Sequence, residues 1–558
     1  MTPRDETTPP KATTPPGAAA SGPGAVIPVR RLRLLTLLAF LGFFAVGAGW
    51  AIALPWDGGP DEQSHITRAA GVVGGDFAAP PRYLSLPGLD EPLAGTYQTI
   101  PDGAARPSPP CFAFQPDQPA SCAHDEVADP RRPVEQFSTG AGRYQPTYYA
   151  LVGWPLRWWP DETGLLLTRL ISAALSAAFL AAAVHSVLAW SRRPFLLAGL
   201  LVATTPMAMH LAGVVNANGL EITAAIAMWA ALIPLVLGEG PPDRRLQILA
   251  GVAAVTVAWA RPDGPLSVAL ALVILTATAG RARLRTLVRD RGSWVLGGVA
   301  TAACALSAVW TIAMKATELV PVPGGAGLDA AEALRVVVVD KSSAYLTGMI
   351  GVFGWVDVSM PVGYYAVWIA VAGFLAIAAL AVGRRIDRLR LVLVVAGAFG
   401  LPLWMDVLGA KENGMMAQGR YILPTAVGAA ILAAHIIGER GPLSARHARS
   451  ATGWLAAAVL PAHLIGLAYT MVRYQHGLYA SVPEVNPLTG EWLPPLGPAT
   501  ALGTAVAGLA ALGVLIRLAP GLATGAEPVA SQGEGTDNGG LRRDGGDAPE
   551  HVGRLPRT

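Results

Sequence analysis

The run WDGGPDEQSHITRAAG, residues 56–71, gathers residue types that carry out group-transfer chemistry. Two adjacent carboxylates (Asp61, Glu62), a titratable imidazole (His65) and a fixed cation (Arg68) follow directly on the first long apolar run. Asp61, His65 and Arg68 stand at i, i+4 and i+7, so a helix opened by Pro60 would set all three on one face. A carboxylate or imidazole within hydrogen-bond reach of an acceptor hydroxyl serves as a general base, and Asp61 or Glu62 can supply it. A donor with a phosphate leaving group calls for fixed cations. Arg261 and Arg420 fit, because the planar guanidinium binds phosphate oxygens in two places. No P-loop, GxSxG, HExxH or zinc pattern occurs in a suitable context, which argues against ATP-driven transport and metalloprotease chemistry.

The elements that position these residues are membrane helices. Of 558 residues, 52% are apolar and 14% charged, and the mean hydropathy is +0.43, whereas a soluble chain carries about 25% charge. The apolar residues fall in runs near the ~20 residues that span a bilayer. The chain therefore reads as an all-α polytopic membrane protein. Its net charge of +3 gives no support to a nucleic-acid partner. Residues 1–29 and 520–558, rich in Pro, Thr, Gly and polar residues, read as disordered. The domain between them, 30–519, holds a first helix near 32–54 with no small-residue cleavage site after it. A large loop, 55–163, follows. Spans are then expected near 165–190, 195–214, 219–237, 246–260, 264–280, 294–314, 362–382, 389–409, 420–438, 452–472 and 499–518, about 12 in all. The pair flanking Arg261, Pro262 and Asp263 is short enough for a re-entrant hairpin. The aromatic, Pro-broken run 144–159 belongs at the membrane interface. Basic clusters at Arg30/Arg31/Arg33, Arg192/Arg193, Arg244/Arg245, Arg281–Arg291, Arg384–Arg390 and Arg440–Arg449 fall on alternate loops. The positive-inside rule then makes both termini cytoplasmic and the 55–163 loop external. The Ala, Gly, Pro and Arg bias fits a GC-rich bacterial genome, and thus a bacterial cell membrane.

Further polar residues fall on the same outer side. They are Asn216, Asn218 and Glu221; Arg261 and Asp263; Trp355 and Asp357; and Lys411, Glu412, Gln418, Arg420 and Tyr421. Each alone fits a solvated turn or a headgroup contact. Together they favour a site, since ionisable groups near membrane depth default to function. Cys304 lies in an apolar run, while Cys111 and Cys122 share the large loop; whether they pair is left open by the sequence, and their spacing matches no metal site.

The chain resembles the bacterial DUF2142 family of multi-spanning membrane proteins. The resemblance rests on GPDEQSHITRA (59–69), YQPTYYALVGWPL (144–156), TPMAMHLAGVVNANGLEI (205–222), FGWVDVSMP (353–361) and QGRYILP (418–424). More loosely, its layout is similar to that of the GT-C glycosyltransferases, which use polyprenyl-phosphate sugars and carry an acidic residue in the first outer loop. The WWDYG-like motif of oligosaccharyltransferases does not occur. The resemblance implies a GT-C-like fold in which Asp61, with Glu62 as rival, is the catalytic acidic residue and Arg261 and Arg420 contact the donor phosphate. His65 and Arg68 would hold the carboxylate or substrate, with Asp357, Gln418 and Tyr421 as further substrate-binding residues. The implied function is transfer of a sugar from a polyprenyl-phosphate donor to a glycan, lipid or protein acceptor outside the cell. A transporter or flippase of lipid-linked glycans, or a non-catalytic cell-envelope assembly protein, is the alternative. No cofactor is required by the residues singled out, and a carboxylate-held divalent metal is left open.

Overall fold

The computed structural model describes residues 27–519 apart from 86–91, 124–126, 192, 194, 319–326, 412–413, 416 and 479–484. Most of the two ends expected to be disordered, together with Glu412 and Arg192, lie outside the described residues.

Helix α1 (Val29–Ala53) is the first apolar run. A tight turn leads into α2 (Glu62–Gly74), which ends at Gly75 with φ 113°, a left-handed conformation open to a residue without Cβ. Strands β1 (Pro81–Leu84), β2 (Leu93–Pro101) and β3 (Pro133–Ser138) form an antiparallel sheet in that order, with Thr96 opposite Ser138 and Ile100 opposite Val134. α2 lies against this sheet. Ser138 Oγ donates to the Ser64 carbonyl at 3.0 Å, and Gln63 Nε2 to the Ala104 carbonyl at 3.0 Å. The large loop is thus a small subdomain. A Cys111–Cys122 disulfide, with Cα atoms 6.2 Å apart, closes part of it. The aromatic run forms α3 (Thr147–Val152) and α4 (Trp154–Trp158). Tyr148 and Tyr149 are buried there, while Trp154, Trp158 and Trp159 are exposed, as an interfacial segment requires.

The remaining helices are α5 (Glu162–His185, continued by a π-turn over Ser186–Trp190), α6 (Leu196–Ala203), α7 (Pro206–Ala212), α8 (Ala217–Leu237), α9 (Arg244–Ala260), α10 (Gly264–Ala277), α11 (Arg281–Arg289), α12 (Arg291–Ala313), α13 (Ala330–Val336), α14 (Ser342–Gly351), α15 (Val362–Val382), α16 (Arg385–Gly409), α17 (Gly419–Arg440), α18 (Ala445–His476) and α19 (Pro498–Leu518). A two-stranded ribbon, β4 (Val352–Phe353) and β5 (Val358–Ser359), precedes α15. Among the described residues, nine helices are long and apolar enough to cross a membrane: α1, α5, α8, α12 and α15 to α19. The protein is a multi-pass, all-α membrane protein. The other three expected spans are helical but shorter. The 195–214 run is divided into α6 and α7, because Thr205 caps the Ala208 N–H at 3.2 Å and Pro206 occupies the first turn of α7. The runs around Arg261 become α9 (17 residues) and α10 (14 residues), with Arg261 extended between them.

α8 is buried along its length at the centre of the bundle. Its Trp229 ring seats on Gly428 of α17 and donates Nε1–H to the Pro424 carbonyl at 3.2 Å. α1 is clasped between α5 and α19, where Gly42 and Gly49 face Leu512 and Ala505. Small residues let membrane helices approach this closely.

Candidate functional site

The turn between α1 and α2 is built around two buried carboxyl groups. Glu62 is fully buried and receives Arg169 Nε (2.8 Å) and Nη2 (2.6 Å) as well as the Val215 N–H (2.9 Å). Arg169, also buried, donates further to the carbonyls of Ala51, Leu54 and Pro55, fastening the end of α1 to the start of α2. Asp57 accepts the Gln63 N–H at 2.8 Å and the Ser108 hydroxyl at 3.1 Å. Burial pushes its carboxyl well above the usual carboxylate range, against the Gln63 N–H that favours the ionised form. Trp355 Nε1 donates to the Asp57 carbonyl at 2.9 Å, and the Tyr474 hydroxyl to the Gly58 carbonyl at 2.6 Å.

Asp61 emerges from this frame. Its backbone is left-handed (φ 59°, ψ 16°) and it precedes the helix, which starts at Glu62 and not at Pro60. The expected single face of Asp61, His65 and Arg68 is therefore not formed. His65 is buried, bonded through Nδ1 to the Tyr149 hydroxyl at 2.8 Å; burial, with Arg261 and Arg420 adding to it and Asp61 opposing, pushes its imidazole down to about 3. Arg68 donates to the carbonyls of Asp76, Phe77 and Tyr144 at 2.8–3.1 Å. Both brace the subdomain, and neither side chain is hydrogen-bonded to Asp61. Glu62 is likewise closed off by Arg169, whereas the Asp61 side chain is 54% exposed.

Asp61 Oδ2 instead receives Arg420 Nη2 at 2.7 Å, across the chain from α17. The same Nη2 reaches the Tyr421 hydroxyl at 3.1 Å. The Tyr421 ring lies between two guanidinium groups, 4.4 Å from that of Arg261 and 5.1 Å from that of Arg420, within cation–π range. Arg261 also stands over Tyr144 at 5.7 Å, 3.2 Å from Asp263 and 3.8 Å from the buried Glu221, whose other oxygen has no hydrogen-bond partner among the described residues. Arg420 is 4% exposed, and its Nε and Nη1 are buried without hydrogen-bond partners among the described residues. Asp61, Arg261, Arg420 and Tyr421 thus converge, though the sequence places them more than 350 residues apart at the extremes. Gln418 is half-buried at the start of α17, where its carbonyl receives the Tyr421 N–H at 3.0 Å. Asp357 belongs to a different cluster. Its Oδ2 accepts Arg473 Nε at 2.9 Å, and its Oδ1 the Trp355 N–H at 3.1 Å. Gly354, with φ 62°, leaves room for that carboxylate. Arg473 also donates to the carbonyls of Phe112, Gln115 and Gln118, pinning the disulfide loop.

Among the described residues, no group of three or more His, Cys, Asp or Glu converges as a metal site would require. Arg169 and Asp57 are the residues of this candidate site that motif reasoning does not reach. Arg169 carried a signal, an arginine inside an apolar run, while Asp57 shows itself only through its partners.

An all-α bundle with a polar cluster under a small subdomain defines a multi-pass membrane protein of one connected fold. The chain belongs to the DUF2142 family of predicted membrane proteins, which matches residues 44–429. No curated protein matches it. Two solved structures are distantly similar, both of ArnT from Cupriavidus metallidurans. The apo form is 14% identical with TM-score 0.38, over 86% of this chain and 75% of that one. The form bound to undecaprenyl phosphate is 13% identical with TM-score 0.40, over 89% and 77%.

Proposed function

We propose that the protein is a membrane glycosyltransferase that moves a sugar from a polyprenyl-phosphate donor to a hydroxyl of a cell-envelope acceptor on the extracytoplasmic face. The observation that carries this reading is the pairing of one exposed carboxylate, Asp61, with a buried guanidinium, Arg420, that still has two uncommitted donors. In the proposed reaction Asp61 takes the proton of the acceptor hydroxyl. The acceptor oxygen bonds to the anomeric carbon as the bond from that carbon to the phosphate oxygen breaks, in one inverting displacement. The polyprenyl phosphate leaves with the electron pair, and Arg420, with Arg261 behind Tyr421, receives the developing charge. Fixed cations aimed where charge develops stabilise such a transition state. Glu62 and Arg169 hold the loop that carries Asp61, and His65 and Arg68 hold α2 beneath it.

The test is sugar transfer by the purified protein, using synthetic polyprenyl-phosphate sugars and a panel of glycan and lipid acceptors. Transfer by the parent protein that falls about 10²–10⁴-fold in Asp61→Asn, as loss of a general base predicts, supports the reading. Movement of the lipid-linked sugar across vesicles with no transfer to any acceptor would overturn it in favour of a transporter.

A further inference from the structure

The Asp61–Arg420 pair is lopsided in a way that the neighbouring Glu62–Arg169 pair is not. Glu62 and Arg169 are both buried, and they meet through two guanidinium nitrogens and both carboxylate oxygens. Arg420 is equally buried, yet Asp61 meets it with one oxygen on one nitrogen, from a side chain that is 54% exposed. Arg420 Nε and Nη1 remain buried and without hydrogen-bond partners among the described residues. A buried guanidinium needs an anion, and one able to accept at two or three nitrogens satisfies it far better than a single carboxylate oxygen. Asp61 gives up less by turning outward than a buried carboxylate would, because its side chain is already 54% exposed.

We infer that Asp61 is a placeholder anion. In the resting protein it neutralises Arg420. The phosphate of the lipid-linked donor displaces it from Nη2, engages that nitrogen together with Nε or Nη1, and releases Asp61 toward the acceptor with its lone pairs free. The inference rests on the proposed function, since it takes Arg420 as the phosphate site. It adds that donor must bind before Asp61 becomes a competent base, and that the general base and the donor compete for one arginine.

The competition gives a result that a simple binding site would not. The probe is a polyprenyl monophosphate without sugar, titrated against the full-length protein in detergent. Removing the competing charge in Asp61→Asn should tighten its binding by at least about twofold, since even a fully exposed carboxylate contributes on that order to an ion pair. Arg420→Ala should weaken it at least tenfold, and Arg420→Lys, which keeps the charge without the fork, supplies the same arm if the alanine variant does not fold. Unchanged or weaker binding in Asp61→Asn, with Arg420 variants still impaired, overturns the placeholder role while leaving the phosphate site intact. Unchanged binding in both Arg420 variants overturns the phosphate site and the proposed function's donor contact with it. Displacement of the probe by phosphatidylglycerol at equal concentration would mean that the displacing anion is a bilayer headgroup and would overturn the carrier assignment.

Discussion

Asp61 and Glu62 are adjacent and chemically alike, yet their replacement should fail or succeed for opposite reasons. Glu62 is fully buried and its partner Arg169 is 3% exposed. Glu62→Ala leaves that guanidinium without a counter-charge and strips the Val215 N–H of its acceptor. Removing one member of a buried pair costs about 3–5 kcal/mol. The orphaned N–H adds to this, by about 1–3 kcal/mol when counted alone. Asp61→Asn, by contrast, keeps an oxygen for Arg420 at a half-exposed position whose left-handed backbone suits Asn. Its cost should be well below that of Glu62→Ala, because the amide oxygen can still accept from Arg420 Nη2. The assay is heat- or denaturant-induced unfolding in detergent, run beside sugar transfer on the folded protein. Glu62→Ala should lose stability first and activity only as a consequence. Asp61→Asn should lose activity and keep stability. A Glu62→Ala protein as stable as the parent would refute the buried-staple account, and if it were also inactive the catalytic role would pass to Glu62.

Three other outcomes follow from the same geometry. Arg420→Lys should weaken donor binding by about 1–3 kcal/mol, the worth of a charged hydrogen bond, whereas a mere headgroup contact would tolerate lysine. His65 is held neutral, with its imidazole near 3 against 6.5 in the unfolded chain. Its contribution to stability is therefore fully present above pH 6.5 and is lost as pH falls from there toward about 3, because the unfolded chain takes up a proton that the folded one does not. Unfolding midpoints of the parent and of His65→Gln measured between pH 7 and 4 should converge as the pH drops, and parallel curves would contradict this. A cysteine introduced near Pro101 should be labelled from outside the cell while one near Gly238 is spared, and the reverse pattern would place the site on the wrong side of the membrane.

The spans were legible because a backbone in lipid must satisfy its own polar groups, so long apolar runs have one solution. The break at Thr204 and Thr205 was not, since two threonines and a proline in an apolar run differ little from the Pro402 and Pro461 that α16 and α18 absorb. Asp61 could be singled out by type and place. Its departure from α2 could not, because the left-handed turn depends on Asp57, Glu62 and their distant partners. His65 and Arg68 looked like companions of Asp61 because helical spacing is visible in sequence. Their real partners, the Tyr149 hydroxyl and three backbone carbonyls, are set by tertiary contact. Arg420 showed no acidic neighbour along its helix, since its partner lies 359 residues upstream.

That separation has a meaning in time as well as in space. Synthesis proceeds at about 5–20 residues per second, so the 359 residues between Asp61 and Arg420 take roughly 20–70 s to make. For that interval the first loop is without its cation, and α1 waits longer still for α19. The cluster is assembled last, by the closing helices, and a chain halted before α17 would have the Asp61 loop without the guanidinium that pairs with it.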